Sequence, residues 1–235
     1  MKYKRVVIKL GGETLSRSNQ FGIDTEKAKE LALKIKDVHD TGSQVLIVMG
    51  AGNIWRGARG QSKGMDRSTA DEIGILATIM NCLALEDALK KIGVVVRLHT
   101  SIAMKPIAEP YTRLRAVYQL NKGYVVIVGG GTGHPYFTTD TAAALRAVEI
   151  KADALIKATK VDGVYNEDPI KNPNAKKIEK ISYIEYLDKK IGVLDNTAIT
   201  LCMNNNLPIL VIGLSEKDGL KRVVTGEKIG SIISK

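Results

Sequence analysis

Short apolar runs alternate with longer segments whose apolar residues recur every three or four positions, along nearly the whole chain. Val6-Val7-Ile8-Lys9-Leu10 reads as a buried strand, and residues 24 to about 41 as a helix opened by an Asp-Thr cap. Residues 45–49 predict a second strand. A long helix is predicted over residues 66 to about 92, with Ile73, Leu76, Ile79, Met80, Leu83 and Leu89 at helical spacing. Further strands are expected at 94–98, 124–128, 154–158 and 207–213, and helices at 113–120, 139–150, 182–187, 196–204 and 217–225. Such alternation implies βα crossovers, and so an α/β fold: a mostly parallel central sheet between two layers of helices. Ligands of such sheets bind beyond the carboxyl ends of the strands. Residues 161–177, with Asp-Gly, Asn-Glu-Asp-Pro and Asn-Pro-Asn, read as an ordered working loop.

Composition narrows this picture little. The 235 residues suit one large domain or two tightly joined lobes; 44% are hydrophobic and only 5% aromatic. The apolar weight falls on Val, Ile, Leu and Ala, as buried parallel sheets prefer. No apolar run approaches a membrane span, and Met1-Lys2-Tyr3-Lys4-Arg5 does not open a signal peptide, so a cytoplasmic location is expected. Cys82 and Cys202 stand far apart in apolar helical contexts and imply neither a disulfide nor a metal site. A formal charge of +10 has three readings: a nucleic-acid surface, a site gathering small polyanions, or solvated helix faces such as Lys27, Lys29, Lys34 and Lys36. No basic stripe interleaves with aromatics, so nucleic acid is not an expected partner. Most lysines are assigned to solvated faces, and those beside glycine-rich loops to anion binding.

Those loops carry the first functional signal. Three strands run into glycine: Gly11-Gly12, Gly50-Ala51-Gly52-Asn53, and Gly129-Gly130-Gly131-Thr132-Gly133. Glycine lets the backbone approach a ligand and turn its N–H groups toward phosphate oxygens, and a following helix N-terminus adds positive partial charge. Three such loops in one topological position point to a nucleotide or polyphosphate. The P-loop pattern is absent, and the dinucleotide pattern fails at Trp55 and His134. Lys9, inside an apolar strand, needs an anionic partner. Arg56 has the geometry to grip phosphate from its loop. Thr138-Thr139-Asp140 opens a helix, as a cap or as ligand contacts. Asp71 and Asp195 read equally as helix-start charges or site residues. His39, His99 and His134 have no ligand spacing.

Lys9-Leu10-Gly11-Gly12-Glu13, Gly52-Asn53-Ile54-Trp55-Arg56-Gly57, the run Gly131-Thr132-Gly133-His134-Pro135-Tyr136-Phe137-Thr138-Thr139-Asp140, and Lys157-Ala158-Thr159-Lys160-Val161-Asp162-Gly163-Val164-Tyr165 together resemble the bacterial-type UMP kinases of the amino-acid kinase superfamily. The likeness runs nearly end to end. It implies a three-layer α/β/α fold, with an acceptor-nucleotide lobe over about residues 1–150 and an ATP lobe over about 151–235. It implies transfer of the γ-phosphoryl of ATP to UMP with Mg²⁺. Lys9, Leu10, Gly11, Gly12, Gly52 and Arg56 would hold ATP phosphates, and Thr159, Tyr165 and Asp168 would form the adenosine side. Asp71 would bind the UMP ribose. Ala51, which replaces a family glycine, would meet UMP through its backbone, while Thr132, Gly133, His134, Pro135, Tyr136, Phe137, Thr138 and Thr139 would surround uracil and phosphate. Asp140 and Asp195 would position Lys9 or the metal, the choice between them being open. The family also implies a homohexamer inhibited by UTP and often activated by GTP. Arg17, Ser18, Asn19, Gln20, Phe21 and Gly22 match the activating segment, though its middle lacks the family's glycines. The rival outside enzymes is a nucleotide-sensing regulator that binds DNA or a partner through its basic face.

Overall fold

The computed structural model describes residues 2–17, 20–56 and 64–235. Its centre is a nine-stranded sheet. The strands are β1 (Arg5–Leu10), β2 (Gln44–Met49), β3 (Val96–Thr100), β4 (Glu109–Pro110), β5 (Val125–Gly129), β6 (Ala154–Thr159), β9 (Lys180–Ser182), β10 (Ile209–Gly213) and β11 (Ser231–Ser234). They lie in the order β4-β3-β5-β2-β1-β6-β10-β11-β9. All pairings are parallel except β10 with β11. The hairpin β7 (Val164–Tyr165) and β8 (Lys177–Ile178) forms a separate small sheet inside the predicted working loop.

Burial on both sheet faces explains the unbroken apolar strands. Along β1, Val6, Ile8 and Leu10 join a core with α1 (Thr25–His39), α2 (Arg67–Lys91) and α7 (Gly219–Thr225). Val7 points to the opposite core, built on α3 (Arg113–Asn121), α4 (Thr139–Glu149), α5 (Tyr183–Asp188) and α6 (Asn196–Asn204). By the period-two alternation of a strand, Lys9 shares the face of Val7, and Lys157 on β6 shares the face of Leu155. The fold is therefore the expected three-layer α/β/α arrangement. β1 sits between β2 and β6, so one sheet runs through both expected lobes.

Three helix starts follow caps read from sequence, at Asp24, Thr138 and Asp195, and Asp66 caps a fourth. The carboxylates of Asp24, Asp66 and Asp195 and the hydroxyl of Thr138 accept from the first free N–H groups of α1, α2, α6 and α4. The periodic pattern did not announce β9, β11 or the β7–β8 hairpin, whose strands are two to four residues long. Of the lysines assigned to solvated faces, Lys27 pairs with Glu30 and Lys36 with Asp40, while Lys34 donates to the Leu214 carbonyl. Cys82 and Cys202 are both buried and free.

At the end of β3, His99 is fully buried and its Nε2 meets Gln119 Oε1 at 2.6 Å, so Nε2 carries the proton; Nδ1 is buried without a partner among the described residues. Burial pushes the imidazole below its ordinary 6.5. The unfolded chain takes up this proton near 6.5 and the folded chain resists it, so stability falls as pH drops below that value. Urea midpoints should decline from pH 7 to pH 5 in the wild type. His99→Gln, less stable overall, should show a flatter decline over the same range.

Candidate functional site

The carboxyl ends of β1 and β6 carry a buried charge cluster. Lys9 and Lys157 are register partners on adjacent strands. Asp140, in the first turn of α4, lies between them: Lys9 Nζ is 2.9 Å from Oδ1 and Lys157 Nζ 2.5 Å from Oδ2. Lys157 also donates to the Val193 carbonyl at 2.6 Å. All three side chains are about nine-tenths buried, with 11–12% of their surface exposed. Burial raises the Asp140 carboxyl, but Lys9 and Lys157 more than offset it and hold it below the ordinary 3.8. Burial lowers the Lys157 ammonium, Lys9 adds to that, and Asp140 opposes it. Two ammonium groups share this one buried carboxylate where β1 enters the first glycine loop, and the Glu13 carboxylate of that loop also acts on Lys157.

Sequence reasoning gave Lys157 no role. The signal was present, since Lys157, like Lys9, interrupts an apolar strand just before its end. The open choice for the partner of Lys9 resolves geometrically to Asp140. Asp195 does not contact Lys9. Its carboxylate accepts from Thr138 Oγ1, from Thr141 Oγ1 at 2.9 Å and from the Ala198 N–H at 2.9 Å. It thereby ties the cap of α4 to that of α6 and holds Asp140 over the strands.

The first two glycine loops pack against each other. Gly50 N–H donates to the Leu10 carbonyl at 2.8 Å, and a Cβ on Gly12 would lie 2.3 Å from Asn53 Oδ1. Asn53 and Asn81 exchange amide hydrogen bonds of 2.8 and 3.0 Å, and Asn81 also donates to the Gly50 carbonyl. Thr14 closes the first loop by donating through N–H and hydroxyl to the Gly11 carbonyl. The Glu13 carboxylate lies against Gly11 and reaches toward Gly52, a second group that sequence reasoning passed over. Arg56 is exposed and its Nε donates to the Gly52 carbonyl at 3.2 Å, so the guanidinium stands at the mouth of the cradle.

A cleft of about 150 Å³ is edged by Thr138 and Thr139, the residues that lead into Asp140. Ala51, Asp71, Thr132, His134, Phe137, Thr138 and Thr139 all line it, together with Thr78 and Gly131. Gly133, Pro135 and Tyr136 belong to the same loop without lining the cleft. One oxygen of Asp71 accepts from Arg67 Nε at 2.6 Å and from Tyr136 N–H at 2.8 Å. Tyr136 is held there at φ 70°, beneath the Arg67 guanidinium.

The expected adenosine-side residues lie along the β6 exit. Thr159 Oγ1 accepts from Val161 N–H, and Tyr165 donates to Asp162, which pairs with Lys177 at 2.8 Å. These two bonds, the lysine first, hold the Asp162 carboxyl below the usual range. Asp168 is exposed and turns its own loop by accepting from Ile170 N–H. A larger groove of about 560 Å³ includes Asp162 and Lys177 but runs away over β10 and β11 to Tyr3, without Lys9 or Asp140. Neither groove includes Lys9, Asp140 or Lys157 in its lining, but the smaller one adjoins the cluster through Thr138 and Thr139, the two residues before Asp140.

Of the segment from Arg17 to Gly22, Ser18 and Asn19 lie outside the described residues. Arg17 pairs with Asp24, Phe21 is exposed, and Gln20 N–H donates to the Arg17 carbonyl. Gly22 exchanges hydrogen bonds with Asn53. Among the described residues no group of three His, Cys, Asp or Glu is placed to hold a metal, and no helix is long and apolar enough to cross a membrane.

The arrangement has clear relatives. The model of the amino acid kinase family matches residues 4–213. A UMP kinase from Bacillus anthracis superposes with a TM-score of 0.96 at 40% identity, covering 100% of this chain and 97% of that one. A UMP kinase from Ureaplasma parvum gives 0.92 at 37% identity, and a uridylate kinase from Archaeoglobus fulgidus 0.73 at 31%, each with full coverage of both chains. The chain belongs to the amino acid kinase family and, within it, to the group of the UMP kinases.

Proposed function

We propose that this kinase transfers the γ-phosphoryl group of ATP to UMP, giving UDP and ADP for pyrimidine nucleotide synthesis in the cytoplasm, by direct in-line displacement. One observation carries the reading: the buried Lys9–Asp140–Lys157 cluster, with its surplus positive charge, lies between a glycine-lined cradle and a cleft edged by Thr138 and Thr139. Phosphoryl transfer asks a protein mainly to position two anions and to stabilise spread negative charge. Lys9 and Lys157 would meet the group in flight. Gly11, Gly12, Gly52 and Arg56 would hold the donor phosphates, with Thr159, Tyr165 and Asp168 along the adenosine. Asp71 and the loop from Thr132 to Thr139 would hold the acceptor. Asp140 orients both lysines, and Asp195 acts through the caps of α4 and α6 as a positioning residue.

The donor set fits a metal that arrives on the nucleotide. Asp140 is taken up by the lysines and Asp195 by Thr138, Thr141 and Ala198, which leaves Glu13 as the carboxylate nearest the cradle. Mg²⁺ keeps several waters and binds through substrate phosphates with one or two carboxylates, and it would neutralise donor charge here. A homohexamer under UTP and GTP control belongs to the same proposal. In its support, α2 leaves Leu76, Met80 and Leu83 exposed at helical spacing, and Gly22 connects the expected activating segment to Asn53 in the cradle.

An acceptor panel of UMP, CMP, dTMP, aspartate, acetylglutamate and isopentenyl phosphate should show turnover with UMP foremost; preference for an amino acid or isopentenyl phosphate would sink the reading. Lys9→Ala should lower kcat by roughly a hundredfold or more while UMP binding stays near that of the wild type. Asp71→Asn should raise KM for UMP, and a change confined to KM for ATP would reverse the two sides of the site. Asp140→Asn should lower kcat and move the alkaline limb of its pH profile to lower pH, because the carboxylate that supports the Lys157 ammonium is gone.

A further inference from the structure

Arg146 is 6% exposed on α4, away from the residues assigned to either substrate. A buried guanidinium is costly unless its donors are satisfied. Here one terminal nitrogen donates to Glu149 at 2.8 Å and the other to Ser101 Oγ at 3.0 Å, and the guanidinium lies 4.0 Å over the Tyr111 ring. Tyr111 in turn donates its hydroxyl to Glu149. The Arg146 Nε is buried with no acceptor among the described residues, so the side chain is held for what its ends do.

Ser101 follows β3 and backs the third glycine loop. Its N–H donates to the Gly129 carbonyl at 3.0 Å, and its hydroxyl donates to the Gly131 carbonyl at 2.7 Å. Gly130, at φ 84°, lies so close that a Cβ would come within 3.2 Å of Ser101 N. Arg146 can only donate, so its bond fixes the Ser101 hydroxyl as acceptor on one side and turns its proton to Gly131. In a planar trans peptide the C=O and the following N–H point in opposite directions. Fixing the Gly131 carbonyl toward Ser101 therefore aims the Thr132 N–H the other way, toward the cleft that Gly131 and Thr132 line. Among the described residues no acceptor takes that N–H.

We infer that Arg146 and Ser101 are positioning residues for the acceptor: Arg146 orients the Ser101 hydroxyl, and Ser101 sets the Gly131–Thr132 peptide so that its N–H meets the acceptor nucleotide. This rests on the assignment of the cleft to UMP. Ser101→Ala should raise KM for UMP roughly tenfold, the worth of one well-placed hydrogen bond, with kcat at saturation and KM for ATP within about twofold. Arg146→Lys should give a similar UMP defect. The Ser101→Ala, Arg146→Lys double variant should be little worse than either single one, because both act through one hydroxyl. Ser101→Thr, which keeps that hydroxyl, should recover most of the affinity. Melting temperatures are measured in parallel, since a purely structural role predicts stability losses with UMP and ATP constants moving together. That outcome, an unchanged KM for UMP, or additive defects would overturn the inference while leaving the enzyme a UMP kinase. A wild type that neither binds nor phosphorylates UMP would overturn the acceptor assignment and this inference with it.

Discussion

The carboxylate of Asp140 is the constraint on which the site depends. Parallel strands are spaced at about 4.8 Å, and the register of β1 with β6 places Lys9 beside Lys157 on one face. Two ammonium groups held that close and nearly dry would repel, and each would shed its proton more readily. Asp140 answers both from above, with one oxygen for each lysine. It can do so only if α4 begins over the β1–β6 junction. Thr138 caps that start, Asp195 grips Thr138 and Thr141, and Asp195 itself is fixed as the cap of α6. A change in any of these would reach the lysines through helix position rather than through contact.

The same helix serves the far side of the cleft. Its first turn holds the lysine pair, and two turns later Arg146 reaches Ser101 behind the third glycine loop. One rigid element thus sets the distance between the charge that would stabilise the moving phosphoryl and the loop that would hold its acceptor. The donor cradle is organised differently, from the opposite face. There the Asn53–Asn81 pair and the Gly12–Asn53 contact lock the first two loops together against the middle of α2. Loops fixed in this way have little room to reorganise, which suits catalysis by preorganised donors.

Much of this was legible in the sequence, because the governing features are local. Period-two and period-3.6 patterns located the main strands and helices, and the side chains of Asp24, Thr138 and Asp195 marked helix starts that the structure reproduces. The short strands β9 and β11 were not legible, since runs of three and four residues carry no period. The lysine partner was illegible for another reason. Asp140 and Asp195 have the same local signature, and only the adjacency of β1 to β6, strands about 150 residues apart in the chain, distinguishes them. Lys157 was within reach of the reasoning applied to Lys9. Arg146 and Ser101 were not, because nothing near either residue predicts a partner 45 positions away.

The charge state of Asp140 bears on how the transfer would proceed. A carboxylate beside a substrate is the obvious candidate for general base. Here the two lysines hold it below its ordinary 3.8 in spite of burial, and a group so poised has little appetite for a proton at neutral pH. His134 lines the cleft, but it is exposed on a loop and among the described residues no carboxylate orients it. Asp140 is thus a poor base for an acceptor that needs deprotonation, such as a sugar hydroxyl. A nucleoside monophosphate does not need one, because its second pKa of about 6 leaves the phosphate largely dianionic at neutral pH. The feature that disqualifies Asp140 as a base is the one that makes it an anchor for Lys9 and Lys157. The cluster therefore favours an acceptor that brings its own negative charge, and a chemical step that consists of bringing two anions together against a fixed positive charge.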